Sequence, residues 1–177
     1  MLASIIITNY NYGKYLGECL RSCLYQSLES NLYEVIVIDD CSSDNSSKVI
    51  EEYIGPHKNL RVINNKKNFG VAKSSNIGFK NAKGKYVIRI DADDFINREL
   101  LKILVYFLEE NSEYFSVACD YYLVSKIGDK IKKISSRENP ISCGVLYNRK
   151  KLLSIGGYND SFRHREEEEL RSRINNK

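Results

Sequence analysis

The chain has 177 residues, enough for one domain with a proper core. Its net charge of +4 comes from 27 Lys and Arg set against 23 Asp and Glu, interspersed along the chain, a balance that favours phosphate-bearing small molecules and excludes the basic arm of a nucleic-acid binder. No apolar run approaches the ~20 residues that span a bilayer, and no basic segment precedes the short apolar run at the N-terminus, so neither a membrane span nor a signal peptide is expected.

The elements follow one another legibly. Ser4 to Thr8 predicts a first strand, and Tyr15 to Ser27 a helix with apolar residues at helical spacing. Glu34 to Asp39 predicts a second strand ending in Asp39-Asp40. "CSSDNSS" then offers Ser, Asp and Asn as N-caps for a helix from about Ser46 to Tyr53, which Gly55-Pro56 breaks. Leu60 to Asn64 is a third strand, Val71 to Ala82 a third helix stopped by Gly84, Tyr86 to Ile90 a fourth strand, and Arg98 to Glu110 a fourth helix. Beyond residue 112 the rhythm changes. Phe115 to Ser125 and Ile131 to Ser135 flank the turn-like "KIGDK", Ile141 to Tyr147 predicts another strand, and Arg149 to Ser154 a short helix stopped by Gly156-Gly157. Glu166 to Ile174 closes the chain as a charged helix.

Alternating strands and helices predict an α/β fold with a mostly parallel sheet flanked by helices, and a small mixed β region in the C-terminal half. Runs such as "VIVI" suit strands buried on both faces. No linker or repeat interrupts the chain, so a single domain over 1–177 is expected.

The five cysteines stand at 19, 23, 41, 119 and 143 without a CxxC pair, which points to a reducing, cytoplasmic compartment without a disulfide framework. Cys19 and Cys23 lie one helical turn apart, a spacing that suits a metal, but they also continue the apolar stripe of Leu16, Leu20 and Leu24, and a core role is the expectation. The abundance of Lys, Asn and Ile suits an AT-rich bacterial genome.

Polar residues gather at the strand ends: "TNYNYG", "DDCSSDN", "NNKKNFG" and "DADD". Ligands of open α/β sheets sit outside the carboxyl ends of the strands, so all four ends together argue a binding site. Asp91, Asp93 and Asp94 repel one another unless a divalent cation neutralises them, and hard oxygen ligands suit Mg²⁺ or Mn²⁺. Alternation along extended backbone puts Asp91 and Asp93 on one side as the metal pair and leaves Asp94 to cap the following helix.

These residues carry a resemblance. "SIIITNYNYGKYLGECLRSCLYQS", "EVIVIDDCSSDNS", "NFGVAKSSNIGFKNAKGKYVIRIDADD", "LYNRKKLLSIGGYNDSF" and "REEEELRSR" resemble, in order, the motifs of the family 2 glycosyltransferases of the GT-A fold, with Cys41 where the family has glycine. The resemblance implies a metal-dependent, inverting transfer of a sugar from a nucleotide-diphosphate donor to an acceptor hydroxyl. Residues 1–112 would form the nucleotide-binding half and 113–177 the acceptor and catalytic-base half. Thr8 and Tyr10 would lie beside the nucleotide base, and Asp39 would accept from it, most naturally from uracil, so a UDP-sugar is the preferred donor. Asn68, Lys73 and Asn76 would line the nucleotide pocket. Asp91 would contact ribose or metal, and Asp93 would bind the metal.

The family's Glu-Asp pair aligns on Glu166-Glu167, which makes Glu167 the expected base and Glu166 the next choice. The plain alternative is a solvated helix, with Glu167–Arg171 and Glu169–Arg173 paired at i,i+4. His164 offers a metal or acceptor contact, or is simply an exposed loop residue. Family habit implies a glycan or lipid-linked acceptor in surface polysaccharide synthesis, with peripheral contact at the inner face of the plasma membrane.

Two other readings compete: a sugar nucleotidyltransferase, which should show a glycine-rich basic loop where this chain has "TNYNYGKY", and a non-catalytic nucleotide-sugar-binding domain. Relatives commonly continue past the base helix. The expectation is therefore a minimal enzyme, a truncated one, or one that completes its acceptor site as a homo-oligomer.

Overall fold

The computed structural model describes residues 1–125, 128–162 and 165–175. Its main sheet has the order β3-β2-β1-β4-β8-β5. The strands β1 (Ala3–Asn9), β2 (Tyr33–Asp39), β3 (Leu60–Asn64) and β4 (Tyr86–Asp91) run parallel, while β8 (Leu146–Asn148) pairs antiparallel with β4 and with β5 (Ser116–Val117). A separate hairpin joins β6 (Tyr121–Val124) to β7 (Lys130–Ile134).

Strand alternation sorts the core into two layers. Ala3, Ile5 and Ile7, with Val35, Val37, Ile88 and Ile90, face α1 (Gly13–Leu24), α2 (Ser46–Ile54) and α4 (Leu100–Glu110). Ile6, Ile36, Ile38 and Val87 face α3 (Val71–Asn81), α5 (Arg149–Ser154) and α6 (Glu166–Asn175). Cys19 and Cys23 are wholly buried in the first layer, as the apolar stripe implied.

Several boundaries differ from expectation for local reasons. The first helix runs Gly13–Leu24 rather than to Ser27, because the Ser27 amide leaves the helix to donate to the Arg98 carbonyl. The fourth helix starts at Leu100, not Arg98, since Asn97 takes the amides of Glu99 and Leu100 into a turn. Asp94 therefore lies well before that helix and does not cap it. The strand expected over Ile141 to Tyr147 shrinks to Leu146–Asn148: Gly144, at φ 79°, turns the chain, and its amide donates to the Arg89 carbonyl. The long strand expected over Phe115 to Ser125 divides into β5 and β6.

Candidate active site

The polar strand ends meet where the order of strands reverses about β1, between β1 and β4. A cavity of about 540 Å³ opens there, walled by Thr8, Asn9, Tyr10 and Tyr12 from β1 and its loop, Asp40 from the end of β2, Asn68, Gly70, Val71 and Ser74 around the start of α3, Arg89 and Asp91 of β4 with Ala92 and Asp93 just beyond it, and Arg165 and Glu166 at the start of α6. Of the residues expected at the site, Thr8, Tyr10, Asn68, Asp91, Asp93 and Glu166 share this wall.

The others stand apart from it. Asp39 ends β2 beside the cavity, its carboxylate accepting from Asn9 Nδ2 at 2.7 Å, Ser42 Oγ at 2.6 Å and the Ser42 amide. Its neighbour Asp40 turns toward α3 and accepts from the amides of Phe69 and Gly70, which anchors the loop before that helix. The ammonium of Lys73 rests 4.4 Å from the centre of the Phe69 ring instead of lining the cavity. Asn76 corrects expectation most clearly. It is buried, its amide donates to the Tyr158 carbonyl and to Asp160, and its oxygen accepts from the Tyr158 amide. With both ends occupied, Asn76 ties α3 to the loop before α6 and leaves the pocket to others.

The acids also arrange themselves differently. Extended backbone ends at Asp91, and the Asp94 amide donates back to the Asp91 carbonyl, so the alternation that would pair Asp91 with Asp93 stops at the turn. Asp93 stays exposed in the cavity wall, and among the described residues no hydrogen bond or ion pair engages its carboxylate. Asp94 folds back beside Asp91 and Cys143, with one ligand atom of each within 4.8 Å of the others. Burial raises the Asp94 carboxyl above its ordinary range, and burial together with Asp91 and Asp94 pushes the Cys143 thiol well up. The hard donors of this group are its two carboxylates.

One functional residue escaped sequence reasoning. Tyr86 to Ile90 reads as an apolar strand, yet Arg89 within it is 4% exposed. On the face it shares with Thr8 and Asp91, its Nη1 donates to Glu166 Oε1 at 2.6 Å and its Nη2 to Asp91 Oδ2 at 3.2 Å and to Ser142. Its Nε lies 3.0 Å from Asp91 Oδ1, close enough for an ion pair though not aligned as a hydrogen bond. Burial alone would lower the guanidinium's affinity for its proton, but Asp91, then Tyr158 and Glu166, more than reverse this and raise it. The signal was present: an arginine facing inward on a doubly covered strand requires carboxylates on that face, one of them from the element that covers it.

The four glutamates of α6 separate by role. Glu166 is 3% exposed and held by Arg89, and Glu169 pairs with Arg173, with Nε 2.6 Å from Oε1. The expected Glu167–Arg171 pair does not form, and among the described residues no hydrogen bond or ion pair engages the half-buried Glu167 carboxylate. Its charge bears on Tyr147, whose phenol is pushed up to about 12, chiefly by burial. Tyr147 lines a second cavity of about 240 Å³, with Pro140, Ile141, Cys143 and Arg171 in its wall. Glu166 thus lines the larger cavity, and Glu167 lines neither. His164 lies outside the described residues.

A family profile described as glycosyl transferase family 2 matches residues 4–167. The chain belongs to glycosyl transferase family 2. Among relatives, poly(ribitol-phosphate) beta-N-acetylglucosaminyltransferase TarS of Staphylococcus aureus is 38% identical over 112 residues, which cover 63% of this chain and 19% of TarS. Chondroitin synthase of Escherichia coli is 32% identical over 153 residues, covering 86% of this chain and 21% of that protein. The chain thus spans about a fifth of the length of either relative.

The structure of TarS 1–349 in complex with UDP superposes with a TM-score of 0.82 at 26% identity over 96% of this chain and 54% of that one. A complex of the same protein with UDP-GlcNAc gives 0.77 at 27% identity, over 90% of this chain and 49% of that one. The GT-A fold expected of this family 2 chain is therefore the one observed.

Proposed function

We propose that this family 2 domain binds a UDP-sugar and, with a divalent cation, transfers the sugar with inversion to an acceptor hydroxyl of a surface glycan. The observation that carries the reading is the wall of the larger cavity, in which exposed tyrosine rings, the carboxylates of Asp40, Asp91 and Asp93, two arginines and the first turn of an acidic helix converge. Tyr10, 45% exposed, offers a stacking face to the base, and Asp39 beside it offers carboxylate oxygens to the ring N–H of uracil. Thr8 donates to Asp91 Oδ1 at 3.4 Å, and Arg89 neutralises the same carboxylate, which leaves Asp91 suited to ribose hydroxyls. The Arg165 side chain adds positive charge for the diphosphate.

The residues fit a divalent cation. Asp93 is an unengaged, exposed carboxylate in the cavity wall with other carboxylates nearby, a hard oxygen set that suits Mg²⁺ or Mn²⁺. When bound, the cation stabilises the charge that develops on the departing diphosphate. Glu167 takes the acceptor proton, since Glu166 is already committed to Arg89. Relatives that bind UDP and UDP-GlcNAc support the choice of donor.

The test is calorimetric titration with UDP, GDP, CDP and dTDP, each with and without Mn²⁺. UDP is expected to bind, tightly only with metal, and Asp93→Ala is expected to lose the metal-dependent part while keeping the thermal transition of the wild type. Equal UDP affinity with and without Mn²⁺ removes the metal assignment, and failure of every nucleotide to bind removes the donor reading.

A further inference from the structure

We propose that Arg89 is a positioning residue for the transfer step, coupling the donor side of the cavity to the helix that presents the base. The inference rests on the donor reading above and gives a second task to a residue of the donor-cavity wall.

Arg89 reaches three elements from one buried side chain. Asp91 stands two residues on along β4, Ser142 belongs to the turn before β8, and Glu166 opens α6. Farther along α6, Leu170 and Ile174 pack against the second core layer. Leu170 is the one fully buried apolar residue of its described part, and Arg173 grips the carbonyls of Ile155 and Gly157 at the far end. At the near end, among the described residues, the Arg89–Glu166 contact is the hydrogen-bonded ion pair that ties the first turn to the sheet. Glu167 is the next residue in the chain, so the direction of its carboxylate follows from where Glu166 is held.

The same guanidinium holds Asp91 from the donor side. Any donor that shifts Asp91 therefore acts on the first turn of α6 through one shared cation, without another side chain in between. A Lys at this position keeps the charge but has a single ammonium in place of a planar fork, and serves two carboxylates and a hydroxyl less well. Methionine keeps an unbranched apolar stem and removes the charge.

The experiment compares Arg89→Lys, Arg89→Met and the double variant Arg89→Met/Glu166→Leu with the wild type. Three readouts are taken: calorimetric UDP affinity with Mn²⁺, kcat and KM for hydrolysis of UDP-GlcNAc and other UDP-sugars, and amide hydrogen exchange. Arg89→Met is expected to lower kcat by about 100-fold, the scale of a small misplacement of a catalytic group, and UDP affinity by less than about tenfold, through the loss of the partner of Asp91. Arg89→Lys is expected to recover part of that loss. Amides of Glu166 to Arg173 are expected to exchange about tenfold faster in Arg89→Met while those of β1 to β4 keep their protection.

The double variant guards against a fold that fails on an unpaired buried acid, because it removes both charges together. It is expected to fold and to remain slow.

Unchanged kcat and unchanged α6 exchange in Arg89→Met would overturn the inference. So would a loss of UDP affinity that matches the loss of kcat, which would make Arg89 a donor ligand, or full kcat in the double variant, which would reduce its role to stability. In each of these cases the wild type still binds UDP. A wild type that neither binds UDP nor turns over any UDP-sugar overturns the donor reading itself and takes the transfer role of Arg89 with it.

Discussion

Cys41 holds a backbone φ of 68° in the connection between β2 and α2. An L side chain in that region costs about 1–2 kcal/mol relative to the right-handed one, and glycine carries no such penalty. Glycine also loses more entropy on folding, an effect of about 0.4–1 kcal/mol in the other direction. Cys41 is exposed and packs nothing, so its removal leaves no cavity. We expect Cys41→Gly to stabilise the protein by about 0.5–1 kcal/mol and raise the thermal midpoint by about 2–3 °C. A midpoint at or below that of the wild type in a calorimetric scan would show that the strain is taken up elsewhere. The departure from glycine was legible in the sequence, and the dihedral gives its physical meaning. The arrangement of Asp91, Asp93 and Asp94 was not legible, because alternation predicts side-chain direction only while the strand lasts, and this strand ends at the first of the three. Arg89 was hidden for the opposite reason: within an apolar run, one charged residue reads as noise unless its partners are known.

Among the elements, α3 shows how a helix can look like part of a binding site and serve instead to hold one. Asn76 follows Ala72 by four residues and precedes Phe79 by three, all three buried, so the apolar period itself placed Asn76 inward. What the period could not supply was the partner, since the loop at Tyr158 lies far along the chain. Next to it, Gly157 sits at φ 69°, with the position of an added Cβ only 2.3 Å from Asn76 Oδ1, so the loop closes tightly on the amide. Asn76→Ala leaves the Tyr158 amide and carbonyl without their partner, and a buried polar group so stranded costs about 1–3 kcal/mol. The expected loss for the variant is about 2–4 kcal/mol in urea unfolding. UDP affinity of the folded fraction should remain within about threefold of the wild type, a difference below 1 kcal/mol. A large loss of UDP affinity with an unchanged unfolding midpoint would return Asn76 to the pocket. The long helices and the parallel strands announced themselves through such periods. The strands β5 and β8, of two and three residues, are too short to have any, and their pairing depends on β4.

At the scale of the whole molecule, the division of labour follows the sheet. The parallel strands from residues 1–112 bring Thr8, Tyr10, Asp91 and Asp93 to one edge, while the start of α6 brings Glu166 across to meet them. The passage from parallel strands to the antiparallel extension was visible in the change of rhythm after residue 112. The meeting point was not, because it depends on a crossover and on one buried arginine. The arrangement makes binding and proton transfer separable. Glu167 touches no residue assigned to the donor, and its carboxylate stands apart from the cavity wall that Glu166 forms. Glu167→Gln keeps the length and polarity of the side chain but cannot take a proton. We expect this variant to bind UDP with Mn²⁺ as the wild type does and to lose turnover by about 10²- to 10⁴-fold, the usual contribution of a positioned general base. Glu166→Gln, by contrast, weakens the hold of Arg89 on the first turn and should lose some stability along with activity. Full turnover in Glu167→Gln would move the base to another group. A loss of UDP binding in that variant would mean that the two halves of the domain act on the donor together, and that the line drawn near residue 112 does not divide the chemistry.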